Sequence, residues 1–451
     1  MFASVLVANR GEIARRVIRT AAAMGIRSIA VYSEADADLP FVAEADEAVL
    51  LGPAAPAASY RDADAVLAAA RSTGAAAVHP GYGFLSEDAG FARAVLDAGL
   101  VWVGPPPAAI AAMGDKIAAR ALMSAAGVPV VPGSAAAVSS VADAAAVAEA
   151  VGYPVIVKAA AGGGGMGMAV VDGPEGLPGA VDRVSGVAAR LFGDPAVFVE
   201  RWFARSRHVE VQILGLPDGR VLALGERDCS VQRRHQKLAE ETPSPAFAGP
   251  DDPVRHALLA AARDAGRAVD YRGAGTVEFL LAGHGPQASF HFLEMNTRLQ
   301  VEHPITEAVL GVDLVRAQFR IAAGEDVGFD ETSAVPSGHA LELRINAEDP
   351  RRFLPGPGVI SAWVEPTGEG IRVDAGYVTG NTVTPHYDSL LAKLIVHGPD
   401  RATVLERARA AVAAFTVAGP KNNLAFHAEL LEHPEFVSGS YDTGIVGRMR
   451  A

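Results

Sequence analysis

Strand-length apolar runs alternate with helical stretches from the first residues onward, and this alternation restricts the chain to an α/β opening. Ser4-Val5-Leu6-Val7-Ala8 reads as a strand, residues 11–24 as a helix and 27–33 as a second strand. The pattern continues with a helix over 62–72, a strand over 75–79, a helix over 88–98 and a strand over 101–104. Parallel strands need long crossovers and helices supply them, so the spacing predicts a small parallel-sheet α/β domain over about the first 110 residues. Pro105-Pro106-Pro107 marks its end. The first turn, Asn9-Arg10-Gly11-Glu12, lacks the G-x-G-x-x-G fingerprint, so nothing supports a nicotinamide cofactor.

A chain of 451 residues exceeds one ordinary core, and two or three domains are expected. One helix is predicted over 108–126 and an Ala-rich one over 141–151. A strand over 154–158 then enters Ala161-Gly162-Gly163-Gly164-Gly165-Met166-Gly167. Strands follow over 198–200, 208–214, 221–226, 275–280 and 289–294, with no internal repeat. A mixed segment from 339–346 to 390–396 precedes a helix over 401–415. The elements together read as a mixed α/β architecture.

Composition removes several function classes. The net charge of −13 argues against a broad nucleic-acid surface, which needs clustered basic residues. No apolar run approaches the ~20 residues of a membrane span, and no basic leader precedes an apolar stretch at the start. A lone cysteine, Cys229, cannot form an intrachain disulfide, and a reducing cytoplasm is expected. Lysine occurs at only five positions, 116, 158, 237, 393 and 421, among 39 basic residues. Such scarcity favours lysine where a compact ammonium is wanted, as around phosphates; chance retention is the bland alternative.

Four constellations carry chemistry. Glycines 162–165 and Gly167, just after Lys158, suit a backbone that wraps phosphate oxygens, though a flexible linker has the same composition. It is not a Walker A loop, because G-x-x-x-x-G-K-[ST] is absent. Glu294 and Asn296 lie two apart on a predicted strand and share a face. With Glu278 on a neighbouring strand they offer hard oxygen ligands suited to Mg²⁺; the alternative is a solvated strand face. Arg298-Leu299-Gln300-Val301-Glu302 follows at once, with a guanidinium for an oxyanion and a carboxylate able to act as base, unless Arg298 and Glu302 merely pair at the surface. The run from Glu226 to Lys237 is too polar to bury unless it lines a site; a solvated loop is its alternative. Together these point to an ATP- and Mg²⁺-dependent enzyme that phosphorylates a small oxyanion.

The ordered motifs closely resemble biotin carboxylases, the ATP-grasp components of biotin-dependent carboxylases, over essentially the whole chain. They are Ala8-Asn9-Arg10-Gly11-Glu12-Ile13-Ala14, the segment from His79 to Glu87, Met113-Gly114-Asp115-Lys116, the glycine loop, Arg207-His208-Val209-Glu210, the run from Glu226 to Lys237, Glu294-Met295-Asn296-Thr297-Arg298, and Arg344-Ile345-Asn346-Ala347-Glu348-Asp349. The resemblance implies a Rossmann-like N-terminal domain over 1–112, an ATP-grasp domain over 113–330 with a mobile lid subdomain near 130–203, and a biotin carboxylase C-terminal domain over 331–451. It places Lys116, Lys158, the glycine loop, Glu200, His208, Gln232 and His235, with Glu278 and Glu294, around the nucleotide. Glu278, Glu294 and Asn296 match ligands of Mg²⁺ (or Mn²⁺). Lys237, Arg298, Gln300 and Val301 match a bicarbonate pocket, Glu302 its base, Arg344 the group that stabilises the biotin enolate, and Tyr82 a border of the biotin site.

The implied partners are a biotin carboxyl carrier protein or domain that supplies biotin in trans, a carboxyltransferase and a second copy of the chain as a homodimer. No nucleic acid or membrane is expected. None of the five lysines has a methionine beside it, as a biotin-bearing lysine would. Met166 stands where family members usually carry Lys or Arg, which weakens the expected lid contacts to phosphate. Two rival readings remain at this level: another carboxylate-activating ATP-grasp ligase, and a non-catalytic regulatory protein.

Overall fold

The computed structural model describes residues 1–160, 167–234 and 236–450. Gly162, Gly163, Gly164, Gly165, Met166 and His235 lie outside the described residues. Five parallel strands open the chain: β1 (Ser4–Val7), β2 (Arg27–Ser33), β3 (Glu47–Gly52), β4 (Ala77–His79) and β5 (Val101–Trp102), in the order β3-β2-β1-β4-β5. Val5 and Val7 enter one core with Ile13 and Val17 of the helix Gly11–Ala23. Leu6 enters a second with Ile29, Val31 and Val66, so β1 is apolar on both faces, as a covered parallel strand must be.

The strand order reverses between β1 and β4, and in open parallel sheets ligands bind at such a switch point. Here it holds Asn9 and the loop from His79 to Tyr82. The Asn9 amide Nδ2 donates to the carbonyls of Pro80 and Tyr82, both at 2.7 Å, and His79 Nδ1 accepts from the Gly81 N–H at 3.0 Å. Gly81 has φ of +64°, and a Cβ there would stand 2.8 Å from Asn9 Nδ2. Glycine is thus required twice over, for its dihedral and for the close approach.

The single helix expected over 108–126 is two, Pro107–Gly114 and Lys116–Ala125. Asp115 adopts an extended backbone between them, and its carboxylate accepts from the N–H groups of Ile117 and Ala118, both at 2.9 Å. This cap starts the second helix and sets Lys116 at its first turn. Next come β6 (Val155–Ala159), β7 (Met168–Val171) and β8 (Val197–Arg201), a three-stranded antiparallel sheet. With the helices Val141–Val151 and Leu177–Phe192 it has its own apolar core, including Val155, Val157, Val184 and Val199.

The largest sheet is antiparallel and has eight strands. They are β9 (Ser206–Gly215), β10 (Val221–Arg233), β11 (Gln236–Thr242), β12 (Gly273–Ala282), β13 (Ser289–Asn296), β14 (His339–Asn346), β17 (Ile371–Ala375) and β19 (Leu390–Gly398). Their order is β13-β12-β9-β10-β11-β14-β19-β17. Short pairs, β15 (Gly358–Val359) with β18 (Thr382–Val383) and β16 (Ala362–Val364) with β20 (Thr416–Ala418), flank it. β11 pairs with β14, so the sheet runs without a break from the middle third of the chain into the last. Strict alternation along β9 gives the sheet its two characters. Val209, Val211 and Ile213 fill the core beneath it with Val277, Phe279 and Leu258, while His208, Glu210 and Gln212 occupy the opposite face. The helix His303–Leu310 covers that polar face.

Gly74 supplies an internal comparison for Gly81: its φ is +61° and a Cβ there would meet nothing within 4 Å. Gly74→Ala should cost only the left-handed backbone term, about 1–2 kcal/mol. Gly81→Ala should cost measurably more in the same denaturant titration, because Asn9 must also move. Equal losses would mean that the Asn9 contacts do not constrain this loop.

Candidate active site

Cross-strand register assembles the site on the polar face. Glu294 on β13 stands opposite Glu278 on β12, Glu278 opposite Glu210 on β9, and Glu210 opposite Arg227 on β10. One row further, Asn296 faces Thr276 and Thr276 faces Gln212. A charged row this dense is stable only if its members satisfy one another. Arg227, fully buried, does so through Glu210 (2.6 Å), Gln212 (2.7 Å), Gln300 (2.9 Å), Thr306 (3.0 Å) and Thr276 (3.1 Å).

Lys237 is the centre of this network. Its ammonium donates to Glu210 at 2.5 Å, Glu278 at 2.9 Å and Glu302 at 2.5 Å. Burial alone would lower its pKa, but the surrounding anionic groups win and push it well above the ordinary value. Glu302 sits at the N-terminal boundary of the helix His303–Leu310 and is almost fully buried. Burial would raise its carboxyl; Lys237, then Arg344 and Arg227, override that and hold it well below the usual range. Arg344 on β14 bonds Glu302 at 2.9 Å and Glu240 at 2.6 Å. Burial raises the Glu240 carboxyl to about 7 despite that arginine.

The expected metal set lies at the edge of the network. Glu278 accepts from Asn296 at 2.9 Å and Gln300 at 2.8 Å, and His208 Nε2 stands 2.8 Å from its other oxygen. Burial would raise Glu278, yet Lys237 and His208 hold it well below its normal pKa. Glu294 is half-exposed, with Lys116 3.9 Å away, and desolvation followed by the facing Glu278 raises its pKa. Two carboxylates that repel each other across adjacent strands, beside the amide of Asn296, form a donor set that fits a hard divalent cation.

Of the sequence-derived residues, Lys237, Glu278, Asn296, Arg298, Gln300, Glu302 and Arg344 join in one connected network, with Glu294 and Lys116 at its rim. Lys158 on β6 instead pairs with Glu200 on β8 at 2.5 Å, and Arg120 binds the other Glu200 oxygen. Gln232 on β10 lies opposite Lys237 on β11, half-buried. Gly167 closes the described end of the loop with φ of +72°. The surface pair considered for Arg298 and Glu302 is not the arrangement found. Arg298 donates to Glu87 at 2.9 Å and to Asn296 at 2.8 Å, which fastens the His79–Glu87 segment to the site. Val301 offers its carbonyl to Lys393 at 2.9 Å, and the Tyr82 hydroxyl donates to Glu12.

Sequence reasoning missed Glu210, Arg227, Glu240, Glu87 and Arg120 as individual site residues. The alternation in His208-Val209-Glu210-Val211-Gln212 carried the signal for Glu210, since a carboxylate on a strand with one apolar face must face something polar. Arg227 and Glu240 gave less local warning, because their partners are far away in sequence.

Known proteins match the chain along essentially its whole length. Family models match in chain order: "Biotin carboxylase, N-terminal domain" over residues 1–110, "Carbamoyl-phosphate synthase L chain, ATP binding domain" over 115–329 and "Biotin carboxylase C-terminal domain" over 342–448. The chain is 46% identical to a biotin carboxylase of Nostoc sp., with 99% of each chain covered. It is 46% identical to a pyruvate carboxylase component of Methanothermobacter thermautotrophicus, covering 100% of this chain and 90% of that one. It is also 45% identical to the alpha chain of the mitochondrial methylcrotonoyl-CoA carboxylase of Arabidopsis thaliana, covering 98% of this chain and 60% of that one. A Campylobacter jejuni biotin carboxylase complex superposes with a TM-score of 0.94 at 40% identity, 99% of each chain covered. The biotin carboxylase domain of Hydrogenobacter thermophilus 2-oxoglutarate carboxylase, solved with MgADP, ADP and bicarbonate, gives 0.93 at 40% identity, covering 99% of this chain and 98% of that one. Among the described residues no helix is long and apolar enough to cross a membrane. With biotin carboxylase N- and C-terminal segments on either side of an ATP-binding segment, and a biotin carboxylase 46% identical over 99% of each chain, the chain belongs to the biotin carboxylase family of ATP-grasp ligases.

Proposed function

We propose that the chain carboxylates biotin on a carrier, using ATP and bicarbonate through carboxyphosphate, as the first half-reaction of an acyl-CoA or keto-acid carboxylase. The observation that carries this reading is a buried Glu302 carboxylate held between Lys237 and Arg344, with Gln300 and Arg298 alongside. A carboxylate with so low a pKa is a weak base in isolation. The same cations, however, attract the carbonate dianion that forms when bicarbonate loses its proton. As bicarbonate takes over contacts from Lys237, Glu302 loses the positive charge that depresses it and becomes more basic.

Bicarbonate held by Lys237, Arg298, Gln300 and Val301 gives its proton to Glu302, and an oxygen attacks the γ-phosphorus of ATP. The bond to ADP breaks, and carboxyphosphate forms. Lys116, Lys158, the glycine loop with Gly167, Glu200, His208, Gln232 and His235 hold the nucleotide, and the unit 130–203 closes over it. Glu278, Glu294 and Asn296 would hold Mg²⁺ or Mn²⁺, which neutralises charge on the phosphates during transfer. Carboxyphosphate divides into CO₂ and phosphate. Phosphate takes the N1′ proton of biotin, N1′ attacks CO₂, and Arg344 stabilises the enolate oxygen while Tyr82 borders the ring. The units 1–112, 113–330 and 331–451 supply, in turn, the biotin border, the phosphoryl-transfer site and Arg344.

Biotin arrives on a carrier protein or domain, and a carboxyltransferase partner selects the final acceptor. Homodimerisation and a cytoplasmic setting complete the proposal, the former supported by a relative's printed description as a domain dimer. ADP release measured with ATP, Mg²⁺, bicarbonate and free biotin tests it. The expected result is turnover that requires bicarbonate and rises with biotin; turnover indifferent to both would overturn the reading.

A substitution sharpens the assignment. Glu302→Gln keeps the side chain's shape but cannot accept the proton, so biotin-dependent ATP cleavage should fall roughly 10²–10⁴-fold. Nucleotide affinity, measured by titration calorimetry, should stay near wild type. Wild-type turnover in this variant would remove Glu302 from the base role.

A further inference from the structure

Lys393 and Glu12 stand out among the residues the proposed chemistry does not use. Lysine is retained at only five positions in the chain, and Glu12 lies in the first turn of the helix Gly11–Ala23. Lys393 is fully buried on β19, directly opposite Arg344 on β14. Its ammonium donates to the Val301 carbonyl at 2.9 Å and pairs with Glu12 at 3.1 Å. The other Glu12 oxygen accepts from the Tyr82 hydroxyl. Asp374, opposite Lys393 on β17, is more distant at 4.0 Å and is bound by Arg372 at 2.6 and 3.0 Å.

A buried ion pair is a poor device for stability alone, because well-packed apolar residues of similar volume often serve as well or better. Its partners therefore matter. The Val301 carbonyl belongs to the peptide unit that ends at the Glu302 nitrogen, so a hydrogen bond to it fixes the plane from which the Glu302 side chain departs. The ammonium holding that plane is anchored to Glu12, which in turn fixes Tyr82. A Cβ on Gly376, just after β17, would stand 2.8 Å from the Glu12 nitrogen, so the backbone there is closely packed and Glu12 has little room to drift.

We propose that Lys393, anchored by Glu12, is a positioning residue that fixes the Val301–Glu302 peptide and thereby aims the Glu302 carboxylate at bicarbonate. The proposal rests on the functional reading above and extends it to two residues that touch no substrate. It also links the bicarbonate side of the site to Tyr82 through Lys393 and Glu12.

The test compares wild type with Lys393→Met and with the double variant Lys393→Met/Glu12→Gln. The single variant leaves Glu12 buried without its cation and risks misfolding; the double variant removes both charges together. Thermal melts and circular dichroism establish that each protein is folded. In the folded double variant, kcat/KM for bicarbonate should fall about tenfold or more, whereas nucleotide affinity, measured by titration calorimetry, stays within about twofold. A structural defect would lower both together. Unchanged bicarbonate kinetics in the folded double variant, or a parallel loss of nucleotide affinity, would overturn the positioning role. If wild type itself shows no bicarbonate dependence, the functional reading fails and this proposal falls with it.

Discussion

The Lys237 ammonium, shared among Glu210, Glu278 and Glu302, is the contact on which the site depends. These carboxylates come from three separate elements, two strands and a helix start, and they are buried close together. Without the lysine their repulsion would have to be relieved by protonation or by water. Removing one partner of such a buried set commonly costs about 3–5 kcal/mol, since the remaining charges lose compensation. Arg227 and Arg344 complete the balance from β10 and β14. The network therefore ties the strands of the large sheet to one another at the point where the proposed reaction takes place.

The eight-stranded sheet turns this balance into geometry. Its lower face is apolar, with Val209, Val211, Ile213, Val277 and Phe279 packed into one core. A one-residue slip of β9 would turn Glu210 into that core and Val211 toward the charges, so the apolar packing enforces the polar register. The same sheet spans the middle and last thirds of the chain, which is how Arg344 and Lys393 reach Glu302 and its peptide. Arg298 bonded to Glu87 and Lys393 paired with Glu12 fasten the first third to the same place. Each of the three segments thus contributes side chains to one charge network.

Much of this is legible in the sequence, for physical reasons that differ by element. The alternating strands and helices of residues 4–104 announce a parallel sheet because both strand faces are apolar and the intervening helices are amphipathic. Glu294, Asn296, Gln300 and Glu302 stand out because they cluster within nine residues. The break at Asp115 is invisible to periodicity, since the apolar pattern continues across it and only the cap geometry ends the first helix. Arg227 is legible as part of a polar run, but its five partners come from four other segments, and no local pattern encodes them. Lys393 is noticeable only as a scarce residue type; its contact with Val301 depends on β19 lying against β14.

The proposed reaction turns on one bond: an oxygen of bicarbonate joined to the γ-phosphorus of ATP. Turnover with bicarbonate labelled by ¹⁸O at all positions, followed by mass analysis of the phosphate released, reports on that bond directly. Carboxyphosphate that breaks between carbon and the bridging oxygen leaves a bicarbonate oxygen on phosphorus, so phosphate carrying one ¹⁸O per turnover is predicted. Unlabelled phosphate released in step with carboxybiotin would mean that water, and not bicarbonate, attacks ATP, and would contradict the role assigned to Glu302 and the network around Lys237.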